Sequence, residues 1–287
     1  MAMEWEIDGP RVLDIGGERE TVAALKVALV AGRLDVVTHD DSPAARLEVH
    51  EVTGRPLKVT WTGSTLKVTH VKEKDGSLWE GLKAFSRDSK DLSARVSLSI
   101  PSAAAVKAST VSADALITGI HNDVKLNTVS GSLTLDDVVG DVDANTVSGE
   151  IECHAVRGDF KGNSVSGSLT VLASQLVNIK LNTVSGDLTL DLTDGRARVQ
   201  SNSVSGDVTL RIPTGGGFDV SAHTMSGHVI IDGRAMPKAT FGSQSGGSLQ
   251  EGDGALRVKA TSVSGDVVVL RAQSNGQAGS TDDGLAG

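Results

Sequence analysis

The stretch Asn127-Thr-Val-Ser-Gly-Ser-Leu-Thr-Leu135 decides the fold, because its central block returns along most of the chain. The quartet 128–131 recurs at 146–149, 164–167, 183–186, 203–206, 224–227 and 262–265, with Ser in place of Thr at Ser164, Ser203 and Ser262 and Met225 in place of Val. A degenerate copy, Thr110-Val-Ser-Ala113, opens the series, and Ser243-Gln-Ser-Gly246 falls in the gap before the last copy. The third-position serines then stand at 112, 130, 148, 166, 185, 205, 226, 245 and 264, which are 18 to 21 residues apart. A fixed period of this kind settles architecture ahead of local propensity.

Each quartet is followed by a period-2 segment, as in Leu133/Leu135, Ile151/Cys153 and Leu169/Val171, and preceded by another, as in Val124/Leu126 and Ile179/Leu181. Such alternation marks a half-buried strand. A unit this short cannot hold a βαβ crossover or a propeller blade. It fits one winding of a parallel β-solenoid, each strand stacked about 4.8 Å from its equivalents. The expected class is all-β: a single-stranded parallel β-helix of about nine rungs, right-handed because parallel crossovers overwhelmingly take that hand.

Within a rung, Gly131, Gly149, Gly167, Gly186, Gly206, Gly227 and Gly265 are expected to supply positive φ at a bend. Asn127, Asn145, Asn163, Asn182 and Asn202 precede their quartets and are expected to stack as an amide ladder, with His223 next in the series. The quartet's Val is expected to turn inward and its Ser outward.

Residues 1–100 are less regular and read as a β cap continuous with the solenoid, 101–271 as the solenoid itself, and 272–287 as a disordered tail. Alternating runs within the cap fall at 24–29, 34–37, 47–52, 57–61, 66–71 and 94–100, with turns at Gly32, Gly54 and Gly63. Between two of them, Leu78, Trp79, Leu82 and Phe85 fit one face of a short helix in 72–91.

The block T-V-S-G-[DES]-[LVI]-x-[LVI], preceded by a strand ending in Ile-Pro at Ser97-Leu-Ser-Ile-Pro101, resembles the bacterial β-strand-repeat family known as "putative adhesin", a domain of unknown function. The resemblance covers about residues 20–271. It implies a β-solenoid with no known cofactor and no established catalytic residue, among relatives that include accessory proteins of envelope-stress systems.

The composition excludes several classes. With 36 acidic against 27 basic residues and a net charge of −9, the chain lacks the cationic excess that sequence-independent nucleic-acid binding or an anionic membrane surface requires. One cysteine, Cys153, cannot close an intrachain disulfide and fits a reducing compartment. The acidic start, Glu4, Glu6 and Asp8, does not read as a secretory signal, and Lys26, Arg33 and Asp35 interrupt the most apolar run, so a cytoplasmic location is expected.

For chemistry, the pairs Glu150/Glu152 and Asp141/Asp143 are the only candidates for glycan cleavage, each pair about 6.8 Å apart by strand rise. Outward acidic positions on an acidic protein are ordinarily just solvated, and without Tyr there is little to stack a sugar against. Thr134, Thr170, Thr189 and Thr209 form an outward rank broken by Glu152. Neither the seven histidines nor the glycines form a zinc or calcium signature, so no metal and no cofactor is expected. Trp79 and Phe85 are the candidates for contact with a partner. These features point to a non-enzymatic structural or interaction protein that binds a protein partner or self-associates through a weakly capped last rung, 267–270. The alternative is a carbohydrate-binding or carbohydrate-active β-helix.

Overall fold

The computed structural model describes residues 3–17, 20–70, 92–237 and 245–272, and every regular element among them is a β-strand. The first group is β1 (Met3–Ile7), β2 (Arg11–Ile15), β3 (Ala24–His39), β4 (Ala45–Thr53), β5 (Leu57–Trp61), β6 (Thr65–Thr69) and β7 (Ser93–Pro101). The repeats supply β8 (Ala105–Thr118), β9 (Val124–Thr128), β10 (Leu133–Val139), β11 (Val142–Thr146), β12 (Ile151–Ser164), β13 (Leu169–Thr183), β14 (Leu188–Leu192), β15 (Arg198–Asn202) and β16 (Val208–Ile212). The last group is β17 (Phe218–Thr224), β18 (Val229–Ile231), β19 (Arg234–Ala235), β20 (Ser245–Glu251), β21 (Leu256–Ser262) and β22 (Val267–Arg271). The helix expected in 72–91, with Trp79 and Phe85, and the tail from 273 lie outside the described residues.

Two walls of parallel strands meet at the quartet corner. In the amide wall, β8, β9, β11, β12, β13 and β15 stack in register and align Val106, Val124, Val142, Phe160, Ile179 and Val199 in one buried column. In the threonine wall, β8, β10, β12, β13, β14 and β16 align Ala115, Leu133, Ile151, Leu169, Leu188 and Val208. The alternation seen in sequence therefore fills a narrow aliphatic core, where each fully buried Val or Leu contributes about 1.5–3 kcal/mol. At the second corner the backbone turns left-handed without glycine, at Asp137, Ala155 and Ala173, with φ of 49°, 54° and 49°.

The quartet works differently from the expectation. Its first residue turns inward: Thr128, Thr146, Thr183 and Ser203 are buried, and each hydroxyl accepts a hydrogen bond from the quartet glycine's N–H at 2.9–3.1 Å. That N–H sits at a corner, and a valine facing it would leave a buried donor unpaired. The valine turns outward instead. Val147, Val165, Val184, Val204, Val263 and Met225 are 38–56% exposed.

The glycines are required for a second unexpected reason. None of the seven has a positive φ. A Cβ on Gly149, Gly167, Gly186 or Gly206 would instead overlap the carbonyl oxygen of Gly131, Gly149, Gly167 or Gly186, one winding away. Close backbone approach, rather than turn geometry, excludes every side chain here.

The order of windings also departs from chain order. Ser264 N–H donates to Val204 O at 2.7 Å, and Ser226 N–H donates to Val263 O at 2.9 Å, so the last quartet lies between the 203–206 and 224–227 quartets. Likewise β22 pairs in parallel with both β16 and β18. Ser245 belongs to no column of quartets. It pairs antiparallel with Thr224, because β20 runs back along the outside of β17. The cause is the loop Pro213-Thr-Gly-Gly-Gly217, whose Gly215 and Gly216 adopt φ of 120° and 91°. It carries the chain past one level, which β21 and β22 later fill. The segment 267–270 is therefore an interior strand and offers no edge for self-association.

At the other end, β3 is itself a winding. Leu29, Ala31 and Gly32 are in register with Thr110, Ser112 and Ala113, so Leu29-Val-Ala-Gly32 is a further quartet without its hydroxyls. The runs expected at 24–29 and 34–37 are thus one strand, and Gly32 lies inside it instead of at a turn. Outside β3, the amide wall continues with β6, β5 and β1, and the threonine wall with β7, β4 and β2. The outermost strands, β1 and β2 here and β19 and β20 opposite, all run antiparallel to their neighbours.

His70, just past β6, is 5% exposed, and neither ring nitrogen has a hydrogen-bond partner among the described residues. Burial pushes its pKa down from 6.5 to about 4.

Two outcomes are expected. Gly167→Ala lowers stability by roughly 1–3 kcal/mol in urea unfolding, whereas the exposed Val165→Ser changes it by less than about 0.5 kcal/mol. The folded chain also keeps His70 neutral while the unfolded chain protonates near pH 6.5, so its contribution is complete above that pH. On acidification towards pH 4 it is lost, by about 3 kcal/mol. His70→Leu should flatten the fall in urea midpoint between those two pH values.

Candidate functional site

The amide wall carries the ladder. The side-chain amide of Asn145 donates to Asn127 Oδ1 at 3.3 Å, Asn163 to Asn145 at 2.8 Å, Asn182 to Asn163 at 2.9 Å and Asn202 to Asn182 at 2.9 Å. The next positions in register are Thr261 and His223, so the amide run stops at Asn202. Beside it, the hydroxyls of Ser130, Ser148, Ser166, Ser185 and Ser205 donate at 3.1–3.3 Å to the quartet valine carbonyl one winding away. These five motif serines are thus consumed by the stack, and among the described residues none of them is held by a base as a nucleophile.

The candidate carboxylates are similarly occupied or dispersed. Asp141 Oδ1 accepts from Asp159 N–H at 3.1 Å, and Asp159 in turn accepts from the Asn178 backbone N–H at 3.1 Å and its side-chain amide at 3.0 Å. Asp143 accepts from Lys125 Nζ at 2.6 Å and from Asn145 Nδ2 at 2.9 Å. Burial alone would raise the Asp143 pKa, but these two bonds and the charges of Lys125 and Lys161 outweigh it and hold the carboxyl below its ordinary value. Glu150 and Glu152 are exposed, with Glu152 between Thr134 and Thr170 in the outward rank that continues to Thr189 and Thr209. Cys153 faces the core, where burial and then the charge of Glu152 push its thiol pKa up. His223 meets Ser221 at 3.3 Å and His228 meets Asp266 at 3.3 Å. No group of three or more His, Cys, Asp or Glu side chains among the described residues could hold a metal.

What the structure does assemble is a groove of about 660 Å³ along the outside of the amide wall, spanning β3, β8, β9, β11, β12, β13 and β15. One rim carries Lys107, Lys125, Asp143, Lys161 and Lys180 in register, and the other carries Asp123, Asp141, Asp159, Asn178 and Arg198. The main chain of the inward column that includes Val124 and Phe160 forms the floor. Near the Arg198 end lies a second notch of about 460 Å³, lined by Arg196, Arg198 and Arg257 together with Val177, Asp253 and Ala255. The lysine rank is visible in sequence as the polar middle residue of successive pre-quartet segments. Only the register turns that alternation into a rim.

Stacked parallel strands with interlocked corners define a repeat protein of the β class. The model of the family Toastrack DUF4097 matches residues 35–270, and the chain belongs to that family, a domain of unknown function. No curated protein matches the sequence. Two crystal structures are similar at low level. A "putative cell adhesion protein" from Clostridium sporogenes ATCC 15579 has 11% identity and a TM-score of 0.30, with 92% of this chain and 100% of that one covered. A "putative lipid binding protein" from Parabacteroides distasonis ATCC 8503 has 15% identity and a TM-score of 0.46, with 92% and 97% covered.

Asn163 both donates and accepts within the ladder. Asn163→Ala should therefore strand the Asn182 amide hydrogen and the Asn145 carbonyl, and lower stability by about 1–3 kcal/mol in urea unfolding monitored by circular dichroism.

Proposed function

We propose that this chain is a non-enzymatic scaffold: a right-handed parallel β-solenoid whose groove along the amide wall receives a segment of a protein partner. The observation that carries this reading is the groove itself. It runs across seven strands, while the carboxylates that line it, Asp123, Asp141, Asp143 and Asp159, each already accept a hydrogen bond from a neighbouring winding. A carboxylate held by two donors in its ground state is a poor general base, and one kept below its usual pKa is a poor general acid. The same observation counts against a carbohydrate-active enzyme. Self-association loses its support because the strand at 267–270 is paired between β16 and β18 and is no free edge. A lone, core-facing Cys153 supports a cytoplasmic setting, where no disulfide would be used.

The reading predicts no turnover of acidic or neutral glycans by the purified chain. Release of reducing ends that disappears in Glu152→Gln or Asp141→Asn would contradict it. Added binding peptides should slow amide exchange in β9, β11, β12 and β13 at the groove, leaving β2 and β4 unchanged.

A further inference from the structure

The groove and the adjoining notch hold a concentration of unpaired positive charge in a protein of net charge −9. Lys180, Arg196, Arg198 and Arg257, which line them, and the neighbouring Lys259 make no ion pair among the described residues. Arg198 and Arg257 are direct register neighbours, and Lys180 and Lys259 flank Gln200 in the adjacent outward rank. Like charges placed opposite one another on neighbouring strands are destabilising, so this arrangement carries a cost that an anionic ligand would relieve. The nearby acids do not relieve it. Asp253 Oδ1 accepts from the backbone N–H groups of Gly217 and Ala255, Asp159 is held by Asn178, and Asp219, the register neighbour of Arg257, stays beyond ion-pair distance.

The chemistry of the rims narrows the occupant. No aromatic side chain lines the groove or the notch except Phe160, whose ring is buried, so there is no platform for nucleobases. The rim opposite the lysines carries Asp123, Asp141 and Asp159, which would repel a uniformly charged polyanion along its length. A polypeptide differs in supplying both backbone N–H donors and acidic side chains. The geometry points to an extended peptide segment that lies in the groove and seats clustered Asp or Glu residues among Arg196, Arg198 and Arg257, where guanidinium forks match carboxylates bidentately. This inference rests on the groove being the working surface, and it names the chemistry of the partner.

Fluorescence anisotropy with labelled glycine-serine peptides of equal length that end in a glutamate cluster, end in a lysine cluster or carry neither tests it on the full chain. The glutamate-cluster peptide is expected to bind, more weakly as salt rises. Its affinity should fall at least about tenfold in Arg198→Ala/Arg257→Ala, recover in part in Arg198→Lys/Arg257→Lys, and stay unchanged in Lys58→Ala at the far end, each variant being first checked for unaltered circular dichroism. Binding of the glutamate-cluster peptide that survives the double alanine variant overturns the assignment, as does tighter binding of inorganic polyphosphate than of that peptide. If only the neutral or basic peptide binds and protects the groove, the acidic partner fails while the groove stands. If no peptide binds, both fail.

Discussion

The distance between glycine backbones of successive quartets governs the rest of the structure. Gly131, Gly149, Gly167, Gly186 and Gly206 sit so close to the carbonyl one winding away that no Cβ fits, and this contact sets how tightly the corners stack. Within each quartet the inward hydroxyl of Thr128 or Thr146 satisfies the glycine N–H, and once the corners are at strand spacing the outward Ser can reach the valine carbonyl and the asparagines come within hydrogen-bond range. The contacts between windings are thus coupled, since the glycine, serine and asparagine columns each require the same separation. Each net hydrogen bond contributes only about 1 kcal/mol, but together they select one register.

That register turns repetition into a surface. Any residue type kept in phase becomes a rank, so lysines separated by a whole repeat in sequence face solvent side by side. The amide wall carries one cationic and one mixed acidic rank with a groove between them, whereas the threonine wall presents an outward Thr rank broken by Glu152. A surface built this way needs no loop to position its charges, because the strands themselves hold each one.

Much of this was legible from residues. Period-2 alternation around Leu133 and Val124 gave the walls, and the recurrence of Asn before five successive quartets gave the ladder. The quartet's side-chain directions were not legible, since Thr and Val are both strand residues and only the orphan N–H at the corner decides which faces inward. The winding order was hidden too. The spacing of 19 residues on either side of Ser245 mimics a regular step, and nothing in the quartets reveals that Gly215 and Gly216 let the chain skip a level. The copy at 29–32 is hidden because Leu29 and Ala31 replace both hydroxyl residues, leaving only Val30 and Gly32 of the quartet. The groove required register as well as sequence.

Engineered disulfides in a Cys153→Ser background test the interleaved stack most directly. Thr209 and Val268 are register neighbours on β16 and β22, while Ile230 lies one strand further out on β18. The account predicts that Thr209→Cys/Val268→Cys forms a disulfide on mild oxidation, since adjacent strands place Cα atoms within about 4.4–6.8 Å. Thr209→Cys/Ile230→Cys should remain reduced. The opposite result, with 209 bridging to 230 and not to 268, would mean that the windings follow chain order and would contradict the stack described.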